Sequence, residues 1–65
     1  MILNKLKRKR SELIFVSDSD DKYFVNILSV KKDKNELKHT IIEKDINSWI
    51  CYYESIGWEQ VKIEK

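Results

Sequence analysis

Apolar residues occur in short runs of the length of strands over the first two thirds of this chain, and later recur with the period of a helix. Three stretches, residues 12–17, 22–31 and 36–42, are rich in β-branched and aromatic side chains and predict strands. Polar clusters at 18–21 and 32–35 predict tight turns, because short polar side chains hydrogen-bond to nearby backbone groups there. The three strands are expected to form an antiparallel meander.

The segment that follows has the spacing of an amphipathic helix. Its apolar positions recur at intervals of three and four residues, at Ile46, Trp49, Ile50, Tyr53 and Ile56. This spacing predicts a helix over 44–56, with Asp45 placed to cap its first turn or to complement its dipole. Gly57, the single glycine, is expected to supply the left-handed residue that ends the helix. Residues 58–64 then read as a last strand.

The element order β-β-β-α-β predicts an α+β fold, a small four-stranded sheet covered on one face by one helix. The helix returns the chain, so the last strand is expected to run parallel to the first and third. A right-handed crossover places it beside the first strand, in the order 4-1-2-3, and pairing beside the third strand is the alternative. We assign residues 12–65 to this single domain and residues 1–11 to a basic N-terminal arm, either flexible or a short helix.

Composition and charge narrow the class of protein. The chain of 65 residues is 42% hydrophobic, which suits one small globular domain. Residues 1–10 carry five of the 13 Lys and Arg, so the other eight oppose 11 Asp and Glu in a mildly acidic body. A single cysteine and the lack of a long apolar run indicate a cytoplasmic protein that does not span a membrane. The Lys- and Ile-rich composition is typical of AT-rich genomes, including those of phages and mobile elements.

Both faces of the predicted central strands are apolar. In the second strand, Val25 and Ile27 point one way, whereas Phe24 and Leu28 point the other way. A single helix covers a single face, so the second face is expected to need another cover. The candidates are the N-terminal arm, a second copy of the chain and a protein partner. The alternative is a strongly coiled sheet that buries both faces on itself together with the arm.

No residue pattern predicts catalysis, a cofactor or a metal site. His39 is expected to be a half-buried strand residue with Leu37 and Ile41 on its own face. Cys51 is expected to be partly exposed on another face, which argues against a Cys–His pair. The Asp cluster at 18–21 lacks the central glycine and distal Glu of a calcium loop. We therefore expect a protein that is not an enzyme.

The leading hypothesis is a small non-enzymatic binding module that acts through protein–protein contacts. It would either form a homodimer or modulate a larger partner, with candidate anchors at Phe24, Leu28, Tyr52 and Trp58. The alternative is an accessory DNA- or RNA-binding module, with exposed sheet aromatics that stack on bases. Its candidate phosphate contacts are Lys5, Lys7, Arg8, Lys9 and Arg10.

Overall fold

Strands and one helix make up the part of the chain that the computed structural model describes, residues 2–17, 20, 23–32 and 34–62. The strands are β1 (Ile2–Arg8), β2 (Ser11–Ser17), β3 (Phe24–Lys31), β4 (Lys34–Ile42) and β5 (Glu59–Gln60). A turn of 3-10 helix, Glu43–Asp45, leads into the helix α1, Ile46–Ser55. The predicted α+β class is confirmed.

The strand order in the sheet is β4-β3-β2-β1-β5, and every neighbouring pair is antiparallel. The predicted four strands and order 4-1-2-3 are wrong in detail, because β1 is a fifth strand and lies between β2 and β5. The last strand still runs parallel to β2, as the returning helix requires. It is shorter than the predicted 58–64, although the Val61 N–H donates to the Lys5 carbonyl oxygen at 2.8 Å. Residues 63–65 lie outside the described residues.

The segment expected to be an arm or a short helix forms β1, so that expectation is wrong. Leu6 is fully buried opposite Leu13, while Lys5 and Lys7 point to the other face. A two-residue turn at 9–10 joins β1 to β2. Burying a leucine side chain contributes about 1.5–3 kcal/mol, and the lysines keep their charged ends in water. The segment therefore gains more by joining the sheet than by fraying.

The core lies between α1 and one face of the sheet. Its buried members are Leu6, Leu13, Phe15, Val25, Ile27, Ile41, Ile50, Tyr53 and Trp58. The predicted apolar stripe of the helix is confirmed except at Ile56, which is exposed. Edge-on contact between the rings of Phe15 and Tyr53, 6.4 Å between centroids, joins the sheet to the helix. Burial raises the pKa of Tyr53, and the neighbouring Tyr52 raises it further, so the core retains a neutral hydroxyl.

The helix ends at Gly57, as predicted. The Gly57 N–H donates to the Glu54 carbonyl oxygen at 3.2 Å, and the Trp58 N–H donates to that of Tyr53 at 3.1 Å. This pair of bonds is a Schellman motif, and the φ of +105° at Gly57 is the positive value that the motif needs. The turn brings the Trp58 ring to 6.1 Å from the Tyr53 ring. Asp45 occupies the N-cap position, but its side chain makes no capping hydrogen bond.

Replacing Gly57 with Ala should lower the free energy of unfolding by about 1–2 kcal/mol, because a Cβ disfavours positive φ. The new Cβ would lie 3.6 Å from the Arg8 Cδ, an ordinary contact, so the cost comes from the backbone and not from a clash. Urea unfolding measures the difference. Gly57→Asn is the control and should cost less, since Asn tolerates this conformation better. Equal losses for the two variants would contradict the backbone explanation.

Replacing Leu6 with Ala should destabilise the protein by about 2–5 kcal/mol, the range for truncating a buried leucine. The matched change is Lys7→Ala, at the next position of the same strand but exposed. It should alter stability by no more than about 0.5 kcal/mol. Urea unfolding compares the two variants. A wild-type stability for Leu6→Ala would show that β1 does not belong to the core.

Candidate functional site

The sheet face opposite α1 carries apolar side chains together with the polar side chains of Lys5, Lys7, Glu12, Asn26 and Thr40, and no described element covers it. Positions that alternate with the core positions along the strands point to this face. Its apolar members, called here the open face, are Ile2, Ile14, Val16, Phe24, Leu28, Val30, Leu37 and Ile42. Ile2, Phe24 and Leu37 are 46%, 47% and 56% exposed. Of the covers expected for this face, the N-terminal segment is not one, because β1 lies within the sheet.

Leu37 reaches the open face because the pairing of β3 with β4 is irregular. Ile27 pairs with His39, yet the next residue, Leu28, pairs with Leu37. Lys38 is therefore the extra residue of a β-bulge, which reverses the alternation of β4 on its far side. The expectation that Leu37 and His39 share a face is wrong. The bulge adds a large apolar side chain beside Leu28.

The predicted protein anchors do not share one surface. Phe24 and Leu28 lie on the open face, where the rings of Tyr23 and Phe24 meet edge-on at 4.9 Å. Tyr52 is 56% exposed but lies on α1, on the other side of the sheet. Trp58 is buried in the core, with the guanidinium of Arg8 4.7 Å from its ring centroid. Trp58 is therefore a structural residue and not part of a surface.

The basic residues predicted to bind phosphate make different contacts in the structure. The Lys5 ammonium lies 2.8 Å from the Glu12 carboxylate. The Arg8 guanidinium donates to the Ile56 carbonyl oxygen at 3.1 Å, so it ties β1 to the end of the helix. Lys7 and Lys9 line a depression beside Gly57 and β5. Arg8 lines the same depression, whereas Arg10 lines another.

Arg10 instead joins a cluster of lysines from the predicted second strand and the polar turn that follows it. A depression of about 480 Å³ is lined by Arg10, Ser11, Lys31, Lys32 and Lys34, called here the basic ledge. The sheet register builds it, because Ser11 pairs with Lys31 and Lys31 pairs with Lys34. Neither the Lys5–Glu12 nor the Lys38–Glu36 ion pair involves these cations. Asp33, next to Lys32 in the sequence, lies outside the described residues.

A second depression, of about 410 Å³, lies between β4 and α1. His39, Ser48, Trp49 and Tyr52 line it, and we call it the aromatic corner. The Trp49 and Tyr52 rings stand at 81° to each other with centroids 6.5 Å apart, and His39 packs on Trp49 at 4.7 Å. His39 is exposed, not half-buried as expected, because only the edge of α1 at Trp49 reaches it, whereas Ile41 is buried in the core.

The chemistry available on these surfaces is apolar contact, positive charge and aromatic stacking. No group of three or more His, Cys, Asp or Glu within the described ranges is arranged to hold a metal ion. Cys51 is exposed on α1, as expected. In the Asp cluster at 18–21, Asp20 is exposed, and residues 18, 19 and 21 lie outside the described residues. None of the helices that the structure describes has the length and apolarity to cross a bilayer.

Comparison with protein-family models, with curated proteins and with solved structures finds no match for this chain. Its function is therefore inferred from the open face, the basic ledge and the aromatic corner.

Proposed function

We propose that this protein is a non-enzymatic binding module that self-associates through its open face. The observation that supports the proposal is the row of apolar side chains on the sheet face opposite α1, with Phe24 and Leu37 about half exposed. Apolar area removed from water contributes about 25 cal/mol per Å². Contiguous apolar patches of a few hundred Å² on small proteins commonly mark interaction sites.

The size of the open face sets the expected strength of association. The face extends over β1 to β4, and a strand such as β2 has 7 residues. With strands about 4.8 Å apart and a rise of about 3.3 Å per residue, it measures about 19 by 23 Å, or about 440 Å². A standard interface buries about 800 Å² on each partner. Self-association through this face should therefore be weak, with a dissociation constant in the micromolar range or above.

A second copy of the chain can present the same face to the first. Two sheet faces pack about 10 Å apart with their strands nearly aligned, and a two-fold axis brings the same patch of both copies together. The ends of the sheet differ in charge, with the basic ledge at one end and Asp20, Glu43 and Asp45 towards the other. An antiparallel arrangement of the two sheets avoids placing two basic ends together. This charge distribution supports an antiparallel dimer.

The exposed edge of β4 is less suited to self-association than the open face. An open edge strand can pair with another chain through its backbone groups, and bulges or lysines on the strand oppose this pairing. β4 has a bulge at Lys38 and a second lysine at Lys34. These features favour association through the face rather than through the edge. A larger protein partner that covers the same face is the alternative occupant.

Phe24→Asp and Leu37→Asp should each abolish self-association, because a carboxylate would be buried in the contact. Sedimentation velocity between about 5 and 500 μM would show wild-type protein shifting from monomer to dimer, in line with the weak contact expected from its area. The variants should remain monomeric over this range. Circular dichroism checks that each variant is folded.

Tyr52→Asp is the matched control, since Tyr52 is as exposed as Leu37 but lies on α1. It should dimerise like the wild type. A wild-type protein that stays monomeric at the highest concentration would exclude the homodimer. Equal loss of dimer in all three variants would show that added negative charge, rather than the open face, controls association.

A further inference from the structure

The basic ledge and the aromatic corner lie on the same side of the sheet, along the uncovered part of β4. Lys31 alternates with the buried positions Val25, Ile27 and Ser29, so it points to the side of the sheet that carries α1. Lys34, its pairing partner, is on the same side. His39, opposite Ile27, belongs to this side too. The two depressions are therefore two ends of one surface.

The distance between the two ends suits a short polymer. Lys34 and His39 are five residues apart on a strand that contains a bulge. At about 3.3 Å per residue the separation is about 15 Å. Stacked nucleotides rise about 3.4 Å each along one strand, so about four nucleotides would span it. One end of this surface offers cations and the other offers exposed rings.

We propose that single-stranded nucleic acid binds along this side of β4. Arg10, Lys31, Lys32 and Lys34 hold its phosphodiester backbone on the basic ledge, and Tyr52 stacks on a base at the aromatic corner. Positive grooves combined with exposed aromatic rings are the general means by which proteins bind single strands. Tyr52, with 56% of its surface exposed, is the ring available for stacking.

The combination of cations with exposed aromatic rings favours single-stranded nucleic acid over other polyanions. An acidic protein segment or inorganic polyphosphate would satisfy the cations but would leave the aromatic corner unused. A duplex keeps its bases stacked within the helix, so Tyr52 could not reach them. Glu36 lies between the two ends, and its carboxylate is 3.8 Å from the Lys38 ammonium, which reduces its repulsion of phosphate.

This site is separate from the open face, so it goes beyond the self-association proposed above. It also differs from the nucleic-acid site that the sequence predicted on the basic N-terminal segment. Lys5 and Arg8 have internal partners, whereas Lys31, Lys32 and Lys34 come from the β3–β4 hairpin. The two ideas are tested with different residues, and one can fail without the other.

Binding of the full chain to a fluorescein-labelled single strand of twelve thymidines, dT12, can be measured by fluorescence anisotropy from 20 to 300 mM salt. Wild-type affinity should fall with salt, and the double variant Lys31→Gln/Lys34→Gln should reduce the slope of log K against log salt by about 1.4, because each single-strand phosphate contact contributes about 0.7. At 0.1 M salt this corresponds to about a 25-fold loss of affinity.

The charge-matched control is Lys44→Gln/Lys62→Gln, two exposed lysines that lie outside the basic ledge. It lowers the net charge by the same amount and should weaken binding by less than about threefold. Equal losses in the two double variants would overturn the ledge as a site, since the attraction would then be diffuse. So would undetectable binding of wild-type protein at 20 mM salt.

The stacking contact is tested with Tyr52→Ala, which should weaken dT12 binding by about 5- to 150-fold, the range that corresponds to one base–aromatic stack. The salt slope should stay unchanged, because no cation is removed. Tyr52→Phe keeps the ring and should bind like the wild type. Tyr23→Ala should have little effect, because Tyr23 is equally exposed but directly precedes β3 and does not line the aromatic corner.

Competition identifies the class of ligand. Unlabelled dT12 should displace the labelled strand better than the matching duplex, polyphosphate or poly-glutamate at equal charge. If duplex competes as well as single strand, or if Tyr52→Ala binds dT12 like the wild type, the single-strand proposal is overturned. If poly-glutamate competes as well as dT12, the ledge is a site for acidic protein instead.

Discussion

One helix has to cover a sheet that is apolar on both of its faces, and most of the structure follows from this constraint. α1 packs on the face that carries Phe15 and Ile27, and the core forms there. β1 does not fold over the opposite face but joins the sheet and pairs with β2. Leu6 thereby enters the same core. The segment that could have sealed the open face thus strengthens the face that is already covered.

Sequence patterns correctly predicted the elements that are determined by residues close together in the chain. The faces of β2 and β3, the stripe of α1 and the glycine stop at Gly57 all follow from periods of two or 3.6 residues and from one positive φ. The same patterns missed β1, because Lys and Asn are uncommon in strands and Leu6 is its one fully buried residue. The feature that could have indicated β1 is the polar–apolar–polar alternation of Lys5, Leu6 and Lys7, which comes shortly before the two-residue turn at 9–10.

The surfaces were harder to predict because they depend on register between distant residues. The basic ledge needs the β1–β2 turn to lie beside the β3–β4 turn, which brings Arg10 near Lys31. The bulge at Lys38 decides which face Leu37 occupies. Trp58 looked like an exposed anchor after the helix, yet the Schellman turn folds it against Tyr53. None of these three outcomes is set by composition or by periodicity within one element.

The short helix also explains why its own side of the sheet retains open surface. α1 has 10 residues and β4 has 9. At about 1.5 Å per helical residue and about 3.3 Å per strand residue, the helix is about 15 Å long and the strand about 30 Å. A helix of this length buries Ile41 and packs its own Trp49 against the core, but it cannot reach the β3–β4 turn. The same shortage of covering structure therefore creates the aromatic corner and the basic ledge on one side and the open face on the other.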